Sequence, residues 1–189
     1  IGVAEADNQS TVDLDGTSSI LAGGAQVEVG SFPTAYIPTT TVSVTRNADV
    51  LTYDDAGNIE DAAGTASLEL SVDHSVDTGN PAILSRGSGF FMYSTAGITN
   101  TSVQDGTNTV SSAAGESRLN TPVQAAATWG NALTAYAGTA SATGSYDGTL
   151  RAGDLVIGAK GTTEQSGYSI RNVKIYSNEK SAAEVALIS

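Results

Sequence analysis

The densest run of oxygen-bearing side chains is YDDAGNIED, residues 53–61. Carboxylates and an amide gathered around a turn are what a hard cation such as calcium requires, because it takes several oxygens at once. Asp54, Asp55, Asn58 and Asp61 are therefore the expected ligands of a structural calcium, with Glu60 beside them. The spacing is not that of an EF-hand, and an acidic turn without a metal is simply a solvated turn. Asp73, Asp77 and Asn80 form a second, sparser group. The other chemistry within reach is recognition of a sugar, in which a rigid apolar plate lies beside planar hydrogen-bonding groups. Trp129, Tyr93, Tyr146 and Tyr168 are the candidate plates, and Arg86, Asn131, Asp147 and Arg151 the candidate polar partners. In GFFMYS, residues 89–94, alternation sets Phe90 with Met92 on one face and Phe91 with Tyr93 on the other. One pair is expected in the core and the other toward a groove. For every one of these aromatics the competing role is core filler.

Catalytic constellations are sparse by comparison. A glycosidase needs two carboxylates about 5 Å or about 6.5 to 9.5 Å apart, and residues two apart on a strand share a face. E-x-D occurs only as Glu5-Ala6-Asp7, ahead of the expected sandwich, and E-x-D-x-x-E does not occur. Glu69 and Asp73 lie four apart and could share a face, but a solvent-facing pair is the simpler reading. A Ser-His-Asp arrangement would have to use His74, the sole imidazole. The chain is expected to be a binder and not an enzyme.

These side chains need elements to position them, and the composition says which kind. Ser and Thr make up about a quarter of the 189 residues, with abundant Gly, Val and Ala, while charged residues are only 15%. Such a chain suits half-buried strands and tight turns better than helices. Strands are expected over residues 19–29, 42–50, 51–53, 66–72, 82–85, 89–94, 98–103, 108–112, 123–129, 132–137, 154–157 and 168–176. Residues 30–41 carry Pro33 and Pro38 and read as an extended connector, and residues 134–148 alternate like a hairpin. Short strands with turn signals between them predict an all-β protein, a two-sheet antiparallel β-sandwich or jelly roll. The one helix signal is Ser181-Ala-Ala-Glu184, a capping-box spacing for a short C-terminal turn.

Charge and length exclude further classes. There is no Cys, so disulfides, thiolate metal sites and thiol nucleophiles are absent. Eight Lys and Arg against 20 Asp and Glu give a net charge of -12, which argues against a nucleic-acid groove and against adsorption to anionic lipid. No apolar stretch approaches the length of about 18 residues that marks a membrane span, so no membrane insertion is expected. The chain opens on Ile1 and not Met, so it is expected to be a piece of a longer protein.

Two stretches carry a resemblance. GAQVEVGSFPTAYIPTTTVSVTRNADV, residues 24–50, is similar to the joint in bacteriophage tail-fibre and tail-associated proteins, where a lectin-like jelly roll ends in a GAQLE-type strand and an SYIPT-type linker leads onward. TWGNALTAYAG, residues 128–138, resembles the hairpin of the concanavalin A-like, laminin G-like sandwich family. Residues 155–189 resemble that family's closing strands in the order IG, IxxVxIY, LSxxE. The IxxVxI spacing of Ile170, Val173 and Ile175 implies a local irregularity at Arg171-Asn172 before alternation resumes. Two departures weaken a ligand role at the hairpin: Gly130-Asn131 stands where the family has Asp after Trp, and Ala137-Gly138 where it has Asn-Gly.

The resemblance implies a segment over residues 1–45 that ends a preceding domain, followed by a laminin G-like sandwich over residues 46–189. It implies a carbohydrate-binding domain of a phage tail or fibre protein, extracellular or on the virion, whose partner is a polysaccharide or other glycan. Neutral sugars are favoured unless Arg86, Arg118, Arg151 and Arg171 cluster. The alternative is an assembly domain that holds a fibre as a homo-oligomer, a trimer with Tyr36 and Ile37 buried between chains. A third reading is an atypical polysaccharide-degrading enzyme.

Overall fold

The computed structural model describes residues 25–27, 36–39, 41–45, 51–72, 80–86, 89–94, 99–150, 152–160, 164–165 and 167–188. The chain divides into two units, Ile1–Thr45 and Arg46–Ser189. In the first, residues 25–27 and 42–45 hold no strand, contrary to expectation. Gln26 uses its side chain instead, its Oε1 accepting the Ile37 N–H at 2.8 Å. The remainder of the expected strands at 19–29 and 42–50 lies outside the described residues.

The second unit is the antiparallel two-sheet sandwich expected. One sheet has six strands in the order β1 (Leu51–Tyr53), β10 (Leu155–Ile157), β3 (Ala82–Arg86), β4 (Gly89–Tyr93), β5 (Ser102–Gln104) and β6 (Thr109–Ser111). The other has five in the order β13 (Ser169–Tyr176), β2 (Gly64–Ser71), β7 (Val123–Trp129), β8 (Leu133–Ala137) and β9 (Ala140–Gly144). A small ribbon joins β11 (Ala159–Lys160) to β12 (Glu164–Gln165).

Alternation builds the core. Ala66, Leu68 and Leu70 of β2 and Ala125, Ala127 and Trp129 of β7 point inward to meet Ile83, Leu84, Phe91, Met92 and Val103 of the facing sheet. Trp129 stands at the centre, edge-on to Phe91 with ring centroids 5.2 Å apart. Its position fixes Gly64, where a Cβ would lie 2.2 Å from the indole Cζ2. The pairing of β3 with β4 shifts register twice, so Phe91, Met92 and Tyr93 are all buried. The expectation of one pair facing a groove is thereby corrected for the side chains described.

The outer face of the five-stranded sheet is also covered. Thr65, Ser67, Ala126 and Thr128 point away from the core yet are buried, because the C-terminal segment crosses them. Thr65 Oγ1 donates to Asn178 O at 3.0 Å and accepts from Lys180 N at 2.9 Å. Gln124 Nε2 reaches Ser67 Oγ at 3.0 Å and Val185 O at 2.9 Å. The last element, α1 (Ala182–Val185), starts with the capping box read in the sequence: Ser181 N donates to Glu184 Oε2 at 2.8 Å, and Ser181 Oγ accepts from Glu184 N. Val185 is buried beneath it.

Candidate functional site

The acidic turn after β1 closes on itself before it meets anything else. Asp55 O accepts the N–H groups of Asn58 and Ile59 at 3.0 and 3.1 Å, Asp54 Oδ1 accepts from Ala56 N at 3.0 Å, and Asn58 Nδ2 donates to Asp54 O at 2.7 Å. The turn is then fastened to the sandwich by residues the sequence offered as sugar ligands. Arg86, 4% exposed at the end of β3, holds Asp55 at 2.6 Å and Asp61 at 3.0 Å. Its hydrogen bond keeps the Asp55 carboxyl below the usual range, against the opposing effect of burial. Tyr146 donates to Asp61 O, and Trp129 Nε1 donates to Glu60 O at 2.8 Å. Burial, with Asp61, Asp147 and Asp105 nearby, pushes the Tyr146 hydroxyl well above its ordinary value.

Arg86 and Tyr146 thus come together in one corner, but as structural partners of the turn. The expected calcium set does not converge: Asp55 and Asp61 are committed to Arg86, and Asn58 presents its amide nitrogen. The carboxylates that do approach are Asp54, Asp55 and Asp154, with one oxygen each within 4.8 Å of the others. A hard cation could find three oxygens there, with the Arg86 guanidinium already serving as counter-charge to Asp55.

The remaining sugar candidates disperse. Trp129 is fully buried, and Tyr93 and Tyr168 are 9% and 8% exposed, so none offers a ring face to a pyranose. Asn131 is exposed but tied through its N and Nδ2 to Glu179 Oε2, both at 2.9 Å. Asp147 is exposed and accepts from Thr149 N and Oγ1 at 2.9 Å. Hydrogen bonds from Thr107, first, and then from Thr149 lower its pKa. Arg151, Asp73, His74 and Asp77 lie outside the described residues. Among the described arginines the partners differ: Arg118 is wholly buried and donates to Asn100 O and Thr101 Oγ1 at 2.7 Å, Arg86 holds two acids and Arg171 holds Glu69.

An open cleft of about 410 Å³ lies on the outer face of the five-stranded sheet, lined by Glu69, Glu116, Pro122, Val123, Gln124, Gly138, Thr139, Arg171 and Ala186. Its polar row follows from strand register. Arg171 of β13 pairs with Glu69 of β2, and Glu69 with Gln124 of β7, so all three stand side by side on one face. The register then slips between Arg171 and Lys174, and Asn172 takes a φ of 54°. This is the irregularity the IxxVxI spacing implied. The bulge keeps Ile170, Val173 and Ile175 all against the core while turning two neighbours onto one carboxylate: Glu69 Oε1 accepts from Asn172 Nδ2 at 2.9 Å and Oε2 from Arg171 Nε at 2.7 Å. The Asn172 amide, first, and then Arg171 lower the Glu69 pKa, so it stays an acceptor. The helix end contributes Ala186, and the β8–β9 turn contributes Gly138 and Thr139. The sequence marks Glu69 and Arg171 separately and gives no sign of Glu116 or Gln124; for Asn172 the bulge is the one local signal.

No family model matches the chain, and no curated protein does. Among solved structures it is similar to a Trypanosoma rangeli sialidase, at 14% identity and a TM-score of 0.50, covering 67% of this chain and 22% of that one. It is similar too to a native heptameric SAP-like pentraxin from Limulus polyphemus, at 18% identity and a TM-score of 0.49, covering 68% and 70%. The chain therefore spans under a quarter of the sialidase's length, and likeness at these identities is one of fold alone.

Proposed function

We propose that this chain is a non-catalytic carbohydrate-binding domain that takes a glycan in the cleft beside α1. The observation that carries the reading is the Arg171–Glu69–Gln124 row, with Asn172, whose planar hydrogen-bonding groups are held in fixed positions at the edge of an open cleft. Pro122, Val123 and Ala186 supply an apolar wall beside it, the combination a pyranose needs. The lowered pKa of Glu69 supports binding over hydrolysis, since a carboxyl that must donate a proton to a leaving group needs the opposite shift. The wider setting proposed is a phage tail or fibre-type protein acting outside the cell, and its support is the resemblance of residues 24–50.

The test is binding of the whole chain to a broad glycan array and to bacterial polysaccharides by titration calorimetry, with Arg171→Ala alongside. Binding should fall about tenfold in the variant, as expected for loss of one charged hydrogen-bonding group, with the melting temperature nearly unchanged. An array without hits, or full affinity in Arg171→Ala, would sink the proposal. A second reading, an assembly domain that trimerises a fibre, draws on the exposure of Val27, Tyr36, Val42 and Val44 in the first unit. It requires a trimer by light scattering. Release of reducing ends from a polysaccharide would favour the enzymatic reading instead.

A further inference from the structure

We infer that Glu116 makes the cleft selective for glycans that carry a free amine, an inference that rests on the cleft being the glycan site. Two carboxylates line the cleft, and only one is neutralised. Glu69 spends both oxygens on Arg171 and Asn172. Glu116 is exposed and, among the described residues, carries no hydrogen bond or ion pair. It lies beside Gly138, where φ is +58° and a Cβ would meet Glu116 Cδ at 3.6 Å and Cγ at 3.7 Å. Arg171, which also lines the cleft, uses Nε on Glu69, and its side chain is 60% exposed.

The cleft therefore offers a ligand one neutral pair that can donate, and one carboxylate that, among the described residues, is in no ion pair. A hydroxyl satisfies Glu116 with a hydrogen bond to the ionised carboxylate. An ammonium adds to that bond the attraction of an opposite full charge, modest at an exposed site and screened by salt. A sugar carboxylate meets repulsion from Glu116 and from a chain of net charge -12. The arrangement thus ranks amine-bearing sugars first, neutral sugars second and uronic acids last.

The probes are β-1,4-linked glucosamine oligomers, their N-acetylated counterparts and glucuronate-containing oligomers, titrated into the whole chain at low salt. The amine form should bind about three- to fivefold tighter than the acetylated form, the range an exposed ion pair supplies, and the glucuronate form should bind weakest. The preference should vanish in about 1 M salt, where the Debye length shrinks to about 3 Å. Glu116→Gln should bring amine and acetylated oligomers to one affinity. Equal binding of the two by the unsubstituted chain, or a preference that survives Glu116→Gln, overturns the inference while leaving the glycan site standing. Amine binding that persists in both Glu116→Gln and Arg171→Ala marks attraction to the acidic surface at large and overturns it too. If no oligomer of any kind binds, it is the glycan-binding reading that fails.

Discussion

At the residue scale, Trp129, Phe91, Tyr93 and Tyr168 are spent on structure. Trp129 sits where both sheets and the acidic turn meet, giving its ring to Phe91 and its N–H to Glu60. That arrangement leaves no room at Gly64, so Gly64→Ala must displace either the indole or the strand. Overpacking of this kind costs typically about 1 to 3 kcal/mol, and a contact of 2.2 Å puts the variant toward the upper end. Urea unfolding should show that loss, together with a changed tryptophan emission. A variant as stable as the parent would mean that Trp129 is free to move. Residue type announced an aromatic that matters at position 129, but not whether its face was free, because exposure depends on what the opposite sheet brings to it.

Among the elements, the C-terminal helix is one turn long and would not persist alone. It survives because Val185 is buried and Gln124 holds the carbonyl end. The capping box secures the other end, and Ser181→Ala should cost about 1 kcal/mol, read as a lower urea midpoint with an unchanged slope. A larger loss accompanied by exposure of the sheet face would show that the cap also anchors residues 177–180. β13 illustrates how an element makes a site. The three-residue step from Ile170 to Val173 was legible as a bulge, since two core-facing residues cannot otherwise be three apart on a strand. That the bulge aims Arg171 and Asn172 at Glu69 was not legible, because the partner lies about a hundred positions away in the chain.

For the molecule as a whole, acid should be the weak side. Asp105 is 1% exposed. Burial pushes its pKa up, but Asn108 through side chain and backbone, and then the Thr107 and Asp147 N–H groups, bring the balance below the ordinary value. Asp55, Glu69, Asp147 and Glu184 are shifted the same way by their partners. A carboxylate with a depressed folded pKa stabilises the native state above its unfolded pKa, near 4, and that contribution disappears as the pH falls through the folded value. The melting temperature should therefore be flat from about pH 6 to pH 5 and drop steeply below about pH 4. Asp105→Asn should melt lower at neutral pH and show a shallower acid slope. A melting temperature that rises on acidification would contradict the assignment.

The sequence by itself determined the class of fold. The period-2 patterning of β2 and β7, the punctuation between strands and the capping box at Ser181 are local signals, and local signals survive in one dimension. It also determined the acidic character and the absence of thiol chemistry, which depend on composition alone. Tertiary structure decided the site. The acidic turn read as calcium ligands became a clasp once Arg86 arrived from β3, and of the expected sugar plates Trp129, Tyr93 and Tyr168 turned inward. Cross-strand register and the returning C-terminal segment then assembled a cleft from Glu69, Glu116, Gln124 and Arg171. Those residues share no motif, and their proximity exists only after the strands have paired.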